Sequence, residues 1–240
     1  MKATLIGYGK MGKEVEAELL RQGHTVVSII DPKDGLFPVK KEYIQECDIC
    51  IDFSQGRFVL ANARAVARFN KPLLIGATGW EEELSDLKDI VDENQMGCLY
   101  APNFSLGVAL FKQVAITAAT LFDPFPEYAR CGVEMHHQDK LDSPSGTSKM
   151  LAEAACLDKS FTSVRCGHFP GTHTLYFDGE SDTITLSHVA RSREGFAKGA
   201  VFAAGWLIGK QGFYTLDDAL CHYLKDSSQL LSPPLIKAGI

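Results

Sequence analysis

Between Glu134 and Ser148 the chain reads Glu-Met-His-His-Gln-Asp-Lys-Leu-Asp-Ser-Pro-Ser-Gly-Thr-Ser, so His136, His137 and Lys140 stand just ahead of a helix start. Imidazoles titrate near neutral pH and can move protons, and Lys140 adds a full positive charge. Ser143 fits an N-cap and Pro144 the first helical position. Ser145, Gly146 and Thr147 would then fall in the first turn, whose amides have no partner inside the helix. Glycine admits a ligand to close range, so this turn suits a carboxylate or phosphate. One charge-assisted hydrogen bond of that kind contributes roughly 1.5–3 kcal/mol. If a strand runs through His136 and His137, their side chains point to opposite faces, and one ion can hardly take both. Proton and anion handling is expected there, and no metal.

A second cluster opens the chain. Gly7-Tyr8-Gly9-Lys10-Met11-Gly12 is GxGxxG, placed after an apolar run and before a helical pattern. The first glycine allows the tight turn, the second lets backbone approach a pyrophosphate, and the third lets helix and strand pack closely. Asp31 ends the next strand, where this fingerprint needs a carboxylate for ribose hydroxyls. A carboxylate repels a 2′-phosphate and favours NAD, while Lys33 could soften that preference. Two more loops follow strand ends, Gly76-Ala77-Thr78-Gly79 and Ala101-Pro102-Asn103-Phe104-Ser105, where ligands sit in open α/β sheets.

The elements that must position these groups follow from periodicity. Strands are predicted at 3–6, 25–30, 48–53, 72–75 and 98–100. Helices are predicted at 10–22, with Met11, Val15, Leu19 and Leu20 facing inward, through about 69, at 81–94 and at 107–122. That alternation implies a parallel sheet with crossover helices. After Asp123-Pro124-Phe125-Pro126 the pattern changes. Strands at 130–135, 172–177 and 183–189 and a helix near 145–157 make α+β grammar. A helix at 195–209 and a capped start at Thr215 close the chain. The expected fold is α/β: a Rossmann-like parallel-sheet dinucleotide-binding domain, residues 1–105 plus 194–240, and a second α+β substrate-binding and oligomerisation domain, 106–193, on an open mixed sheet.

The 240 residues are 45% hydrophobic and 22% charged, as in ordinary globular chains, which excludes disordered, collagen-like and coiled-coil classes. A formal charge of −6 argues against a nucleic-acid partner. The longest apolar run, 200–208, is about half of the roughly 20 residues that span a bilayer. With no signal-like start, a cytosolic protein without membrane partners is expected. Seven scattered cysteines suit reduced thiols. Cys47 and Cys50 lead into a buried strand, and Cys131 and Cys156 are expected to pack as small apolar residues.

The string HHxxKxDxPSGT, with the early GxGxxG, the G-x-T-G loop and A-P-N-F-S, resembles the 4-hydroxy-tetrahydrodipicolinate reductase (dihydrodipicolinate reductase) family over essentially the whole chain. The resemblance implies an oxidoreductase of lysine and diaminopimelate biosynthesis that takes NADH and/or NADPH and assembles as a homotetramer. Its substrate would be the cyclic dicarboxylate made from aspartate semialdehyde and pyruvate. It also implies that Gly7, Gly9, Lys10, Met11 and Gly12 form the pyrophosphate loop and that Asp31 meets the ribose. Gly76, Ala77 and Thr78, with Ala101, Pro102, Asn103 and Phe104, would cradle the nicotinamide half. His136 would be the acid/base residue and Lys140 the proton donor, with His137, Gly146 and Thr147 holding substrate carboxylates. Pro32 stands where many relatives carry an arginine suited to a 2′-phosphate. Two other classes share parts of the pattern: a Rossmann dehydrogenase acting on an amino acid or semialdehyde, and a non-enzymatic NAD(H)-sensing protein. The first has no reason for HHxxK followed by an amide-lined turn, and the second would more often append a DNA-binding helical unit with a basic face, neither of which the sequence shows.

Overall fold

The computed structural model describes residues 1–31 and 41–227; Pro32 and Lys33, and the preference expected of Lys33, lie outside them. The chain divides into two compact units, Met1–Phe104 with the chain from Ala197 onward, and Ser105–Phe196.

The first unit carries β1 (Lys2–Ile6), α1 (Lys10–Arg21), β2 (Thr25–Ile30), α2 (Lys41–Ile44), β3 (Ile49–Asp52), α3 (Val59–Ala67), β4 (Leu73–Ile75), α4 (Leu84–Asn94) and β5 (Gly97–Tyr100). Its sheet runs β10-β5-β4-β3-β1-β2 with every pair parallel, β10 being Gly212–Thr215. Every residue of β3, β4 and β5 is buried, as expected of a parallel sheet covered on both faces. Because β2 and β3 flank β1 on opposite sides, the crossovers diverge at the carboxyl ends of β1 and β3, where such sheets open a ligand crevice. In α1 the inward stripe differs by one residue from the periodicity. Leu20 is 56% exposed, and Glu18 is buried instead, its carboxylate accepting from Arg21 and Gln22. Those bonds make burial of the acid tolerable.

The second unit holds α5 (Leu106–Phe122), β6 (Ala129–His136), α6 (Gly146–Ala154), β7 (Thr162–Arg165), β8 (Thr172–Asp178) and β9 (Thr183–Val189). Its sheet, β7-β6-β8-β9, is mixed: β6–β7 is parallel, and β6–β8 and β8–β9 are antiparallel. Phe111 and Ala115 of α5, Leu151 of α6, and Leu175 and Phe177 of β8 form its core. The chain then enters α7 (Glu194–Leu207) and ends its described part in α8 (Leu216–Ser227). Thr215 and Asp218 cap that last helix reciprocally: Thr215 N–H donates to the Asp218 carboxylate at 2.7 Å, and Asp218 N–H donates to Thr215 Oγ1 at 3.4 Å.

The parallel sheet and the mixed sheet are the expected architecture. Three four-residue elements escaped the periodicity: α2, β7 and β10. Elements so short carry little pattern of their own, and neighbouring strands decide whether the two short strands form. Cys131 and Cys156 are exposed, which corrects the expectation of packing. Cys131 lies on an outward position of alternating β6, and Cys156 follows the end of α6 at a φ of 52°.

Candidate active site

In the first unit, the carboxyl ends of neighbouring strands are laced together. Gly7 N–H donates to Ile30 O, Phe53 N–H to Ile6 O and Gly76 N–H to Asp52 O, each at 2.8 Å, and Ala101 N–H donates to Ile75 O at 3.3 Å. Three of the predicted cofactor segments, 7–12, 76–78 and 101–104, therefore follow strands along one edge of the same sheet. Gly7 sits at a φ of +87°, and a methyl there would come within 2.7 Å of the Phe53 carbonyl. A methyl on Gly12 would overlap the Gly7 carbonyl, so helix and turn touch backbone to backbone. Gly9, by contrast, faces nothing within 4 Å. The two outer glycines are filled by protein, and the middle one leaves the space a pyrophosphate needs. Gly9 is also the N-cap of α1 and offers no capping side chain, so the amides and dipole end of the helix remain for an anion. Asp31 is exposed and accepts the Tyr8 amide at 3.2 Å, which sets its carboxylate beside the glycine turn.

The loop at 76–79 is held by Glu81. One of its oxygens accepts from the Gly79 and Trp80 amides, both at 3.0 Å, and the other accepts from Tyr100 Oη at 2.8 Å. Trp80 Nε1 donates to Ala77 O at 2.8 Å. Phe104 is buried against Phe53, ring centroids 5.9 Å apart. Asp52, fully buried at the end of β3, accepts Ser54 N–H at 2.8 Å and Asn62 Nδ2 at 2.9 Å; burial pushes its carboxyl up. Neither Glu81 nor Asp52 was singled out by sequence, since each acts on backbone through the fold.

In the second unit, β6 ends at His136, which is buried, and His137 is exposed, so the two imidazoles do part. The helix start differs from the expectation. Ser145, not Ser143, is the N-cap, its Oγ accepting Ser148 N–H at 3.1 Å, and Gly146, not Pro144, is the first helical residue. The cause lies outside the helix: Ser145 N–H donates to the Glu134 carboxylate at 3.1 Å, which fixes Ser145 just before the turn. Gly146 and Thr147 thus do lie in the first turn, and Gly146 has nothing within 4 Å of where a Cβ would stand. Lys140 N–H donates to His137 O at 3.2 Å, and Lys140 Nζ pairs with Asp142 at 2.7 Å.

Behind these groups lies a buried polar cluster. Glu134 is fully buried and accepts from Ser148 Oγ, Ser163 Oγ and Arg165 Nη2, each at 2.6 Å, besides Ser145. Burial opposes its charge, but these donors outweigh burial and hold the carboxyl far below the usual range. His173 of β8 lies opposite Glu134 in the sheet register, and its Nε2 is 3.2 Å from Ser145 Oγ. Burial lowers the His173 imidazole to about 4, helped by neighbouring His136. His136, its ring centroid 5.2 Å from that of His173, is also lowered by burial, opposed in part by Glu134. Gly171 makes room for it, since a Cβ there would stand 3.2 Å from His136 Nε2.

Glu134, His136 and His173 bring three ligand atoms within 4.8 Å of one another, the donor types of a two-histidine, one-carboxylate metal site. They fit a cation poorly. Both carboxylate oxygens already accept hydrogen bonds, and the Arg165 guanidinium stands 2.6 Å from one of them. Position alone could have flagged Glu134, two residues before His136 on one strand face. Arg165 and His173 carry no such signal.

Residues 1–104 match the family described as "Dihydrodipicolinate reductase, N-terminus" and residues 107–220 match "Dihydrodipicolinate reductase, C-terminus". The 4-hydroxy-tetrahydrodipicolinate reductase of Christiangramia forsetii is 32% identical over 242 residues, 94% of this chain and 100% of that protein. The protein of the same name from a Nitratiruptor species is 36% identical over 229 residues, 85% of this chain and 84% of its own. Among solved structures, the dipicolinate-bound dihydrodipicolinate reductase of Paenisporosarcina superposes with a TM-score of 0.75 at 24% identity, covering 91% of this chain and 98% of that one; at that identity it speaks for the fold. With glycine crest, histidine–lysine cluster and sequence likeness in agreement, the chain belongs to the 4-hydroxy-tetrahydrodipicolinate reductase (dihydrodipicolinate reductase) family of oxidoreductases.

Proposed function

We propose that this chain reduces 4-hydroxy-tetrahydrodipicolinate to tetrahydrodipicolinate in lysine and diaminopimelate biosynthesis, with the roles set by the residues above. The observation that carries the reading is local. One stretch of the second unit presents a buried imidazole, a lysine ammonium and a helix turn open in front of Gly146. A ring with two carboxylates that must collect a proton needs those three things. The turn amides of Gly146 and Thr147 grip one carboxylate, and His137 with the lysine side of the loop grips the other. Gly7, Gly9, Lys10, Met11, Gly12, Gly76, Ala77, Thr78 and Ala101 to Phe104 would hold a reduced nicotinamide, which would supply the hydride when bound. Loss of the ring hydroxyl as water gives the conjugated form of the substrate; hydride uptake then leaves it electron-rich, and a nearby acid must protonate it. Because burial disfavours the charged form of His136, Lys140 gives that proton and His136 shapes the pocket. The test generates substrate from pyruvate and aspartate semialdehyde with the upstream synthase and follows NADH and NADPH absorbance. No consumption of either above blank would sink the reductase reading.

Asp31 supports NADH over NADPH, since its exposed carboxylate would meet a 2′-phosphate with like charge. Asp31→Ala is expected to weaken NADH binding more than NADPH binding; equal effects on both would remove the carboxylate from the ribose.

The same reading makes the protein a cytosolic homotetramer without nucleic-acid or membrane partners. All seven cysteines are free, the net charge is negative, and no helix among the described residues is long and apolar enough to cross a membrane. Leu110 at 44%, Val114 at 48% and Leu121 at 65% exposure line an apolar strip along α5 beside Ile184 and Leu186 of β9. A strip of this kind suits a second copy of the chain. Sedimentation equilibrium returning a single chain mass of 26.3 kDa would refute assembly.

A further inference from the structure

We propose that Glu134 and Arg165 are a positioning pair: one buried carboxylate and one guanidinium hold the substrate-carboxylate turn and the Lys140 loop in register without touching substrate. The inference rests on the reductase reading of this site and concerns residues to which that reading gives no role.

The geometry is that of a hub. From β6, Glu134 receives Ser145 N–H and Ser148 Oγ, which are the N-cap and third residue of α6, and Ser163 Oγ and Arg165 Nη2 from β7. Arg165 Nη2 also donates to Asp142 O at 2.7 Å, and Asp142 in turn holds Lys140 Nζ at 2.7 Å. Each link is direct. The first turn of α6 is tied to Glu134, and the lysine loop reaches Glu134 through Arg165. The carboxylate is fully buried and Arg165 has only 17% of its side chain exposed, so water screens this pair weakly.

An alternative would have the cluster merely stabilise the fold. Two features point beyond that. The Ser145 N–H is engaged on Glu134 and the Ser148 N–H on Ser145 Oγ, so Glu134 fixes the turn that presents Gly146. The second is that one nitrogen of Arg165 bridges the two segments that carry the proposed carboxylate grip and the proposed acid. A pure stability role needs neither connection. A single buried ion pair would do as well without reaching the Asp142 carbonyl.

The test reads binding apart from turnover. Glu134→Gln keeps the shape but turns an acceptor with five incoming hydrogen bonds into an amide that must also donate. The expected result is a Kd for dipicolinate, used as a non-reacting diacid, raised at least about tenfold, with the substrate KM rising in step. The Kd for NADH, held by the other unit, should stay within about twofold, and a near-wild-type near-ultraviolet circular dichroism spectrum checks that the second unit is folded. An unchanged dipicolinate Kd in a variant that still binds NADH would overturn the proposal. Should Glu134→Gln fail to bind NADH, Arg165→Lys decides the matter. Its ammonium keeps the charge, but on a shorter side chain it cannot stand where Arg165 Nη2 meets both Glu134 and Asp142 O, so dipicolinate should weaken about fivefold or more. No change there would also overturn the pair, and Arg165→Ala should regain affinity with added guanidinium but not with methylammonium. A wild-type protein that consumes no cofactor would instead remove the reductase reading, a separate outcome.

Discussion

Lys140→Ala is expected to lower turnover by about a hundredfold or more, the scale of a lost general acid. The lysine suits such a test because it does little for the fold. Its side chain is 23% exposed and its ion-pair partner, Asp142, is 57% exposed, and pairs so placed contribute roughly 0–1 kcal/mol. Its backbone stays anchored by the bond to His137 O. Thermal unfolding and NADH affinity should therefore stay near wild type while kcat collapses. A nearly normal kcat would take the lysine out of the proton-donor role and return that role to His136.

Acid will unfold this protein partly through one imidazole. In the unfolded chain His173 takes up a proton near its ordinary value of 6.5, but in the folded chain only near 4. Between those pH values the unfolded state binds one more proton, so stability is highest above 6.5 and falls as pH falls toward 4. The loss is roughly 1.4 kcal/mol per pH unit, about 3 kcal/mol over the window. Lowered His136 and His188, and Glu134 at lower pH still, add to it in the same direction. Urea unfolding of wild type and His173→Phe across this range checks the claim. The substitution has its own offset, so the slope of stability against pH is what matters, and it should shrink by about one proton. Equal slopes would show that His173 does not stay neutral in the fold.

Local and long-range requirements leave different traces in this sequence. The glycine turn was legible because each of its requirements is local: a positive φ at Gly7, backbone contact at Gly12 and open space at Gly9. Long elements such as α5 and β9 were legible for the same reason, since an apolar period over many residues has few alternatives. The helix start was off by two residues because its deciding partner is not local. Ser143-Pro144 satisfies every capping preference, yet the Glu134 carboxylate holds the Ser145 amide and makes Ser145 the cap. Leu20 follows the helical period and is nonetheless exposed, because position 18 is buried in its place once Arg21 and Gln22 satisfy its acid.

What the order of residues settled unaided is the chemistry on offer: a nucleotide turn, a pair of imidazoles, an ammonium and an anion-binding helix start, all encoded within short spans. What only the folded chain decided is which groups stand behind them. Arg165 reaches Glu134 from 31 positions away, and His173 arrives opposite it through strand register. Backbone geometry repeats over a few residues and leaves a pattern in the sequence. A contact made by pairing distant strands depends on the register of the whole sheet, and no short stretch of chain contains it.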